Sequence, residues 1–390
     1  MNRRIYLDNA ATTPLDPRVL DAMQPYLSQC WGNPSSYHKE GRETHEAVEQ
    51  ARRQVAELIG AEPEEIVFTG SGTEADATAL RSAVTDGDLP SHVITSSIEH
   101  PAVLESCIEL ERLGVEVTRL PVSSEGIVDP SDLDRAIRPD TRLVSVMAAN
   151  NVLGTLQPIA ELGEIARRRG VLFHTDAVQA AGKIPLNVRT TPIDLLSMSA
   201  HKMNGPQGVG ALFVRKGLKL RPLVPGGGQE GGRRSGTENV AGIVGVGCAA
   251  EIARDEMADE AARLVQIRDF LIDIILKNVG NAYLIGDRYL RLPGHICVGF
   301  GGMEGDAIKL LLQLDELGFA VSSGSACSSN HAGGPSHVLQ ALGFNPIKAR
   351  GSLRITLGRF NTRAEAERLS AALPEAVRSL RPTHGLVGAI

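Results

Sequence analysis

The chain has 390 residues, 42% of them hydrophobic and 22% charged, which excludes a disordered or fibrous protein and exceeds what one core comfortably supports. Forty Lys and Arg against 46 Asp and Glu give a formal net charge of -6, which argues against a general polyanion binder. No stretch of about 18 apolar residues occurs, and Met1-Asn2-Arg3-Arg4 leads into no apolar run, so the expectation is a soluble, cytoplasmic protein.

From Ala47 onward, helix-period segments alternate with short β-branched ones. The pattern predicts helix 47–59, strand 66–69, helix 73–83, strand 92–96, helix 101–113, strand 115–120, helix 131–137 and strand 142–147. It continues with helix 158–169 and strands 171–175, 193–198 and 209–214, the two adjacent late strands implying one antiparallel member in a mainly parallel sheet. A Gly-rich loop at 226–236 precedes a long helical stretch over 239–277. Beyond it come strand 294–300, helix 304–317, strand 319–322, helix 335–342, strand 352–357 and helix 363–380, a smaller α/β unit, then a loosely held tail of ten residues. The division expected is an N-terminal segment 1–15, a large domain 16–258 and a small C-terminal domain 259–390.

Lys202, in Ser199-Ala200-His201-Lys202, stands where a buried strand gives way to a Gly/Pro turn, the edge at which such sheets bind ligands. A lysine there can condense with a carbonyl cofactor such as pyridoxal phosphate, although a lone lysine before a turn is usually a solvated charge. Asp176 ends the strand at 171–175 and is placed to pair with a pyridinium nitrogen, unless it merely caps a turn; Gln179 could donate to a ring phenolate. Gly70-Ser71-Gly72-Thr73-Glu74 joins a strand to a helix and could receive a phosphate at the positive helix end, or serve only as a capping box. His100 closes a strand before Pro101, where an imidazole can stack on a flat ring.

The five cysteines, at 30, 107, 248, 297 and 327, contain no Cys-x-x-Cys pair, so neither a disulfide framework nor a metal site is expected. Cys107, Cys248 and Cys297 lie among apolar residues and read as core fillers. Cys327 lies in the small, polar run 321–330, where a nucleophilic thiol finds access.

Taken together, YLDNAATTP at 6–14, GNPSSYHKEGR at 32–42, FTGSGTEA at 68–75, IEHPAVL at 98–104, NN at 150–151, HTDAVQ at 174–179, SAHK at 199–202, GGGQEGGRRSGTEN at 226–239, SSGSACSS at 322–329, PSHVL at 335–339 and SLRITLGRFNT at 352–362 resemble the cysteine desulfurases of the class V aminotransferase group. The loop around Cys327 is similar to that of the NifS- and IscS-like branch. The resemblance implies an α/β fold of the aspartate-aminotransferase type (fold type I) with a smaller α/β C-terminal domain, pyridoxal 5'-phosphate as cofactor, L-cysteine as substrate, a homodimer, and sulfur-acceptor proteins as partners. It makes Lys202 the Schiff-base lysine, Asp176 the pyridinium partner, Gln179 the phenolate partner and His100 the stacking imidazole. Gly72, Thr73, Ser199 and His201 would bind the phosphate, with Thr237 reaching over from a second copy, and Asn151 and Arg354 would hold the substrate carboxylate. Cys327 would receive the sulfur as a persulfide. Three positions depart from the pattern: Val152 where relatives have Glu, Gln207 where they have Lys, and Gly231 where a basic residue is usual. A selenocysteine lyase or other class V enzyme, and a sulfur-delivery scaffold without activity, are the alternatives, disfavoured by SSGSACSS and by Lys202 with Asp176 respectively.

Overall fold

The structure, a computed structural model, describes residues 4–82, 91–303, 305, 307–324 and 335–381. In chain order the elements are β1 (Ile5–Tyr6), α1 (Pro17–Ser28), α2 (Lys39–Ile59), β2 (Ile66–Thr69), α3 (Gly72–Ser82), β3 (His92–Ser96), α4 (Pro101–Arg112), β4 (Glu116–Leu120), α5 (Pro130–Ala136), β5 (Thr141–Ser145), α6 (Ile159–Arg168), β6 (Leu172–Asp176), β7 (Leu195–Ser199) and β8 (Gly210–Val214). Then follow α7 (Val240–Asn278), β9 (Ala282–Leu284), β10 (His295–Phe300), α8 (Ala307–Glu316), β11 (Phe319–Ala320), β12 (Ser322–Ser323), α9 (His337–Ala341), β13 (Ser352–Thr356) and α10 (Arg363–Leu380).

Seven strands form the main sheet in the order β2-β8-β7-β6-β5-β3-β4. β8 pairs antiparallel with both β7 and β2, while the other pairings are parallel, so one strand runs against the rest as the two adjacent late strands imply. Both faces are covered: β2, β3, β7 and β8 are buried along their whole length, which is why they read as continuous apolar runs rather than alternating ones. Every parallel strand therefore delivers its C-terminal end to one edge, and β2, β3, β5, β6 and β7 lead there to Gly70–Thr73, His100, Asn151, Asp176 and Lys202.

A second, antiparallel sheet has the order β12-β13-β10-β9, and β1 pairs parallel with β11 beside it. Ile5 and Leu7 are buried in this sheet's apolar core. Helix α7, roughly 58 Å long at 1.5 Å per residue, spans the two cores: Ile243 to Ala253 pack in the first and Leu264 to Ile275 in the second.

The sequence pattern misses α1, although Asp16 accepts from the Arg18 N–H and Pro17 opens the helix, a start signal of the usual kind. It also begins α2 at 47 instead of Lys39, because the polar first turns carry no apolar period until they reach the core. Ser322 and Ser323, within the small, polar run 321–330, are buried in β12 against Arg354 and Leu353 of β13. Residues 325–334, and the tail apart from Arg381, lie outside the described residues.

Candidate active site

At the C-terminal edge of the main sheet lies a cavity of about 440 Å³ lined by Gly72, Thr73, His100, Asn151, Asp176, Gln179, Ser199, His201 and Lys202, within the size range of cofactor sites. One wall is the start of α3, where first-turn N–H groups lack intrahelical acceptors. Gly72 is required there: a Cβ would stand 2.6 Å from Val178 Cγ2 and 3.3 Å from Ser199 Cβ, filling the space between helix and strand. Arg234 of the Gly-rich loop donates to Glu74 at 2.8 Å, and Glu74 accepts the Gly70 N–H at 2.8 Å, which braces this turn.

On the other wall the Lys202 ammonium donates to the carbonyls of Ala10 (2.6 Å) and Ala11 (2.7 Å). Gln179 donates to the same Ala10 carbonyl at 2.9 Å and accepts from Lys183 at 3.3 Å, which fixes the direction of its amide. His201 meets the Thr12 hydroxyl at 3.1 Å. Ala10, Ala11 and Thr12 thus form part of the cavity wall, and they lie in the YLDNAATTP motif, although periodicity carries no trace of them.

Asp176, 5% exposed, accepts the Val178 N–H at 2.8 Å; burial pushes its carboxyl up to about 6, against that hydrogen bond and the Lys202 charge. His100 is the N-cap of α4, its Nδ1 accepting from the Ala102 N–H at 3.1 Å. Burial, with Lys202 and His337 nearby, brings its imidazole down to about 4. At neutral pH the ring is uncharged, and with Nδ1 occupied as acceptor its proton resides on Nε2. Burial first, then Lys202 and Lys183, lowers His201 to about 4 as well.

Two of the expected residues do not line this cavity, and a third is not described. Thr237 is exposed and lines a neighbouring cavity with Gly70 and Gly208 instead of this one. Arg354 is 1% exposed and does not line the cavity; its guanidinium donates to Asp8 at 2.8 Å and to the Asn151 carbonyl at 3.0 Å. Asp8 is therefore a partner of the expected carboxylate grip that residue-type reasoning did not single out. Cys327 lies outside the described residues.

Two of the departures have a structural account. Val152 is 2% exposed among Met147, Leu153, Cys297, Val338 and Leu339, an apolar cluster in which a carboxylate would lack a partner. Gly231 has φ 63, a left-handed conformation that a residue with a Cβ adopts only with strain. Gln207 donates to Thr12 at 3.3 Å and lines the cavity.

Fold and site together define an α/β enzyme of the class V aminotransferase type: the model of that family, "Aminotransferase class-V", matches residues 5–369, and the chain belongs to it. Within the family its place is among the cysteine desulfurases. It is 50% identical over 382 residues to "Cysteine desulfurase IscS" of Dictyoglomus turgidum, covering 98% of this chain and 96% of that one. It is 48% identical over 381 residues to the protein of the same name from Methanosarcina thermophila, covering 97% and 93%. Among solved structures, a NifS-like protein matches with a TM-score of 0.90 at 38% identity, covering 97% of this chain and all of that one. "SspA in complex with cysteine" matches with a TM-score of 0.81 at 36% identity, covering 92% and 100%.

Proposed function

We propose that the protein removes sulfur from L-cysteine, releasing L-alanine and leaving a persulfide on Cys327, with pyridoxal 5'-phosphate held on Lys202. The observation that carries this reading is the cavity itself: an amine at Lys202, a buried carboxyl at Asp176 and a glycine-cleared helix start at Gly72 and Thr73 line one space. Those groups suit a carbonyl, a ring nitrogen and a phosphate in turn. When bound, the cofactor supplies an electron sink for the substrate's Cα–H bond.

The chain's own residues do the rest. The helix start, Ser199 and His201 would hold the phosphate, and the Gln179 amide, held by Ala10 and Lys183, would have one N–H left for the phenolate. Neutral His100 would stack on the ring, with a proton on Nε2 available for transfer. Asn151 and Arg354 take the substrate carboxylate.

The Cys327 thiolate attacks the substrate sulfur, and the new S–S bond forms as the C–S bond breaks. The electron pair of that bond stays on carbon and is protonated to the methyl group of alanine, so no external oxidant is needed. Burial raises the Cys107 thiol to about 12 and the Cys297 thiol to about 11, and it also raises Cys248. Cys30 is raised by desolvation and by Glu43. The two buried thiols, Cys107 and Cys297, are thus poorly suited to form a thiolate, and the reading assigns that role to Cys327 on its motif.

A homodimer in which Thr237 completes the partner's phosphate site belongs to the same reading, as do sulfur-acceptor proteins and a cytoplasmic place of action. Among the described residues no helix is long and apolar enough to cross a membrane. The deciding experiment adds L-cysteine and a reductant to purified protein and measures alanine and sulfide; stoichiometric release supports the reading, and none at any cofactor concentration refutes it.

A further inference from the structure

One acidic group faces the cofactor cavity without a role in that scheme. Asp76, on α3, is 1% exposed and lines the cavity with Asp176. Its Oδ1 has no hydrogen-bond partner among the described residues; His174 Nε2 stands 3.6 Å away, beyond hydrogen-bond reach. What Asp76 receives is a contact from the Ser197 hydroxyl.

His174 does not supply the missing positive charge. Its Nδ1 meets the Ser145 hydroxyl at 2.8 Å and its Nε2 the Ser197 hydroxyl at 3.0 Å, and full burial brings the ring down to about 3, so it is neutral. Glu99, between β3 and α4, adds a third buried carboxyl; its Oε1 accepts from the Met147 N–H at 3.0 Å and the Ser96 hydroxyl at 2.5 Å, while Oε2 has no partner among the described residues. The groups acting on Asp76 are therefore Asp176 and His174 from β6, Ser197 from β7 and Glu99 from the β3–α4 loop.

Two like charges buried at one site repel, and the carboxyl with the weaker support is the one that holds a proton more tightly. The surroundings decide which one does: Asp176 has a backbone N–H at 2.8 Å and the field of Lys202, whereas Asp76 has a hydroxyl. We propose that Asp76 is a positioning residue that holds a proton, so that the Asp76–Asp176 pair carries one negative charge and that charge sits on Asp176, facing the cofactor ring nitrogen. The idea rests on the reading of Asp176 as the ring partner. Burial first, and then Asp176, raises the Asp76 carboxyl well above the ordinary carboxylate range, in agreement with this assignment.

The test is infrared spectroscopy of protein with ¹³C-carboxyl-labelled aspartate, recorded without cofactor at pH 7.5 so that its outcome does not depend on pyridoxal phosphate. A protonated aspartate band, shifted by the label and therefore distinct from Glu99, is expected in the unmodified protein and absent from Asp76→Asn. In cofactor-loaded protein the Asp76→Asn change replaces one neutral group by another. The pH midpoint of the visible band should then move by less than about 0.5 unit, against a shift of about 1 unit or more if a charge had been removed. A wild-type spectrum without a protonated aspartate band, a band that persists in Asp76→Asn, or a midpoint shift of the larger size overturns the proposal. If Asp76→Asn does not fold, the wild-type spectrum alone decides by the presence or absence of the band.

Discussion

Replacing Arg354 by lysine separates substrate binding from cofactor binding. The guanidinium makes two directed contacts, 2.8 Å to Asp8 and 3.0 Å to the Asn151 carbonyl, from a side chain 1% exposed. A lysine ammonium keeps the charge but reaches one direction at a time, so one charge-assisted hydrogen bond is lost, worth about 1.5–3 kcal/mol. If that bond is made to the substrate carboxylate, KM for cysteine rises about 10- to 100-fold. The visible cofactor spectrum should stay unchanged, because Arg354 does not line the cofactor cavity. Initial rates of alanine release over a range of cysteine concentrations provide the assay. Asp8→Asn and the double variant complete a cycle that isolates the Arg354–Asp8 coupling. An unchanged KM in Arg354→Lys, with the loss appearing only in melting temperature and coupled to Asp8, would show that the arginine serves the fold and not the substrate.

Cys327→Ser should bind pyridoxal phosphate and cysteine normally yet release alanine at least about 100-fold more slowly, since a hydroxyl is a poor nucleophile at neutral pH; near-normal release refutes the persulfide step. Lys202→Ala should fold and stay colourless, and borohydride reduction of unmodified holoenzyme should leave its mass adduct on the tryptic peptide containing Lys202 and no other. Burial raises Glu99 from 4.5 to about 8, so the folded chain binds more protons than the unfolded one across that window and stability falls as pH rises through it. Urea midpoints between pH 6 and pH 8 should therefore decline in the unmodified protein and decline less in Glu99→Gln. Thr237→Ala should weaken cofactor retention in a dimer, and sedimentation of fully active monomer at high dilution would refute the shared site.

The motifs are local, and local chemistry was readable. Lys202 after a buried strand, Asp176 at the end of another and Gly72 before a helix are each placed by their neighbours in the chain, so their arrival at one sheet edge followed once the parallel α/β rhythm was recognised. Strands buried on both faces announced themselves as apolar runs, and the 39-residue helix α7 appeared almost at its full length because its apolar positions continue through both cores. What depends on partners distant in sequence was not readable. Arg354 is engaged by a carboxylate 346 residues away, the segment 10–13 supplies carbonyls to Lys202 and Gln179 from 169 to 192 residues away, and Asp76 meets Ser197 and His174 only through packing. A hydrogen bond between remote segments leaves no periodicity or spacing in the chain, and the protonation of a buried carboxyl is set by the whole of its surroundings, so the tertiary structure alone decided which carboxyl oxygens find a partner among the described residues.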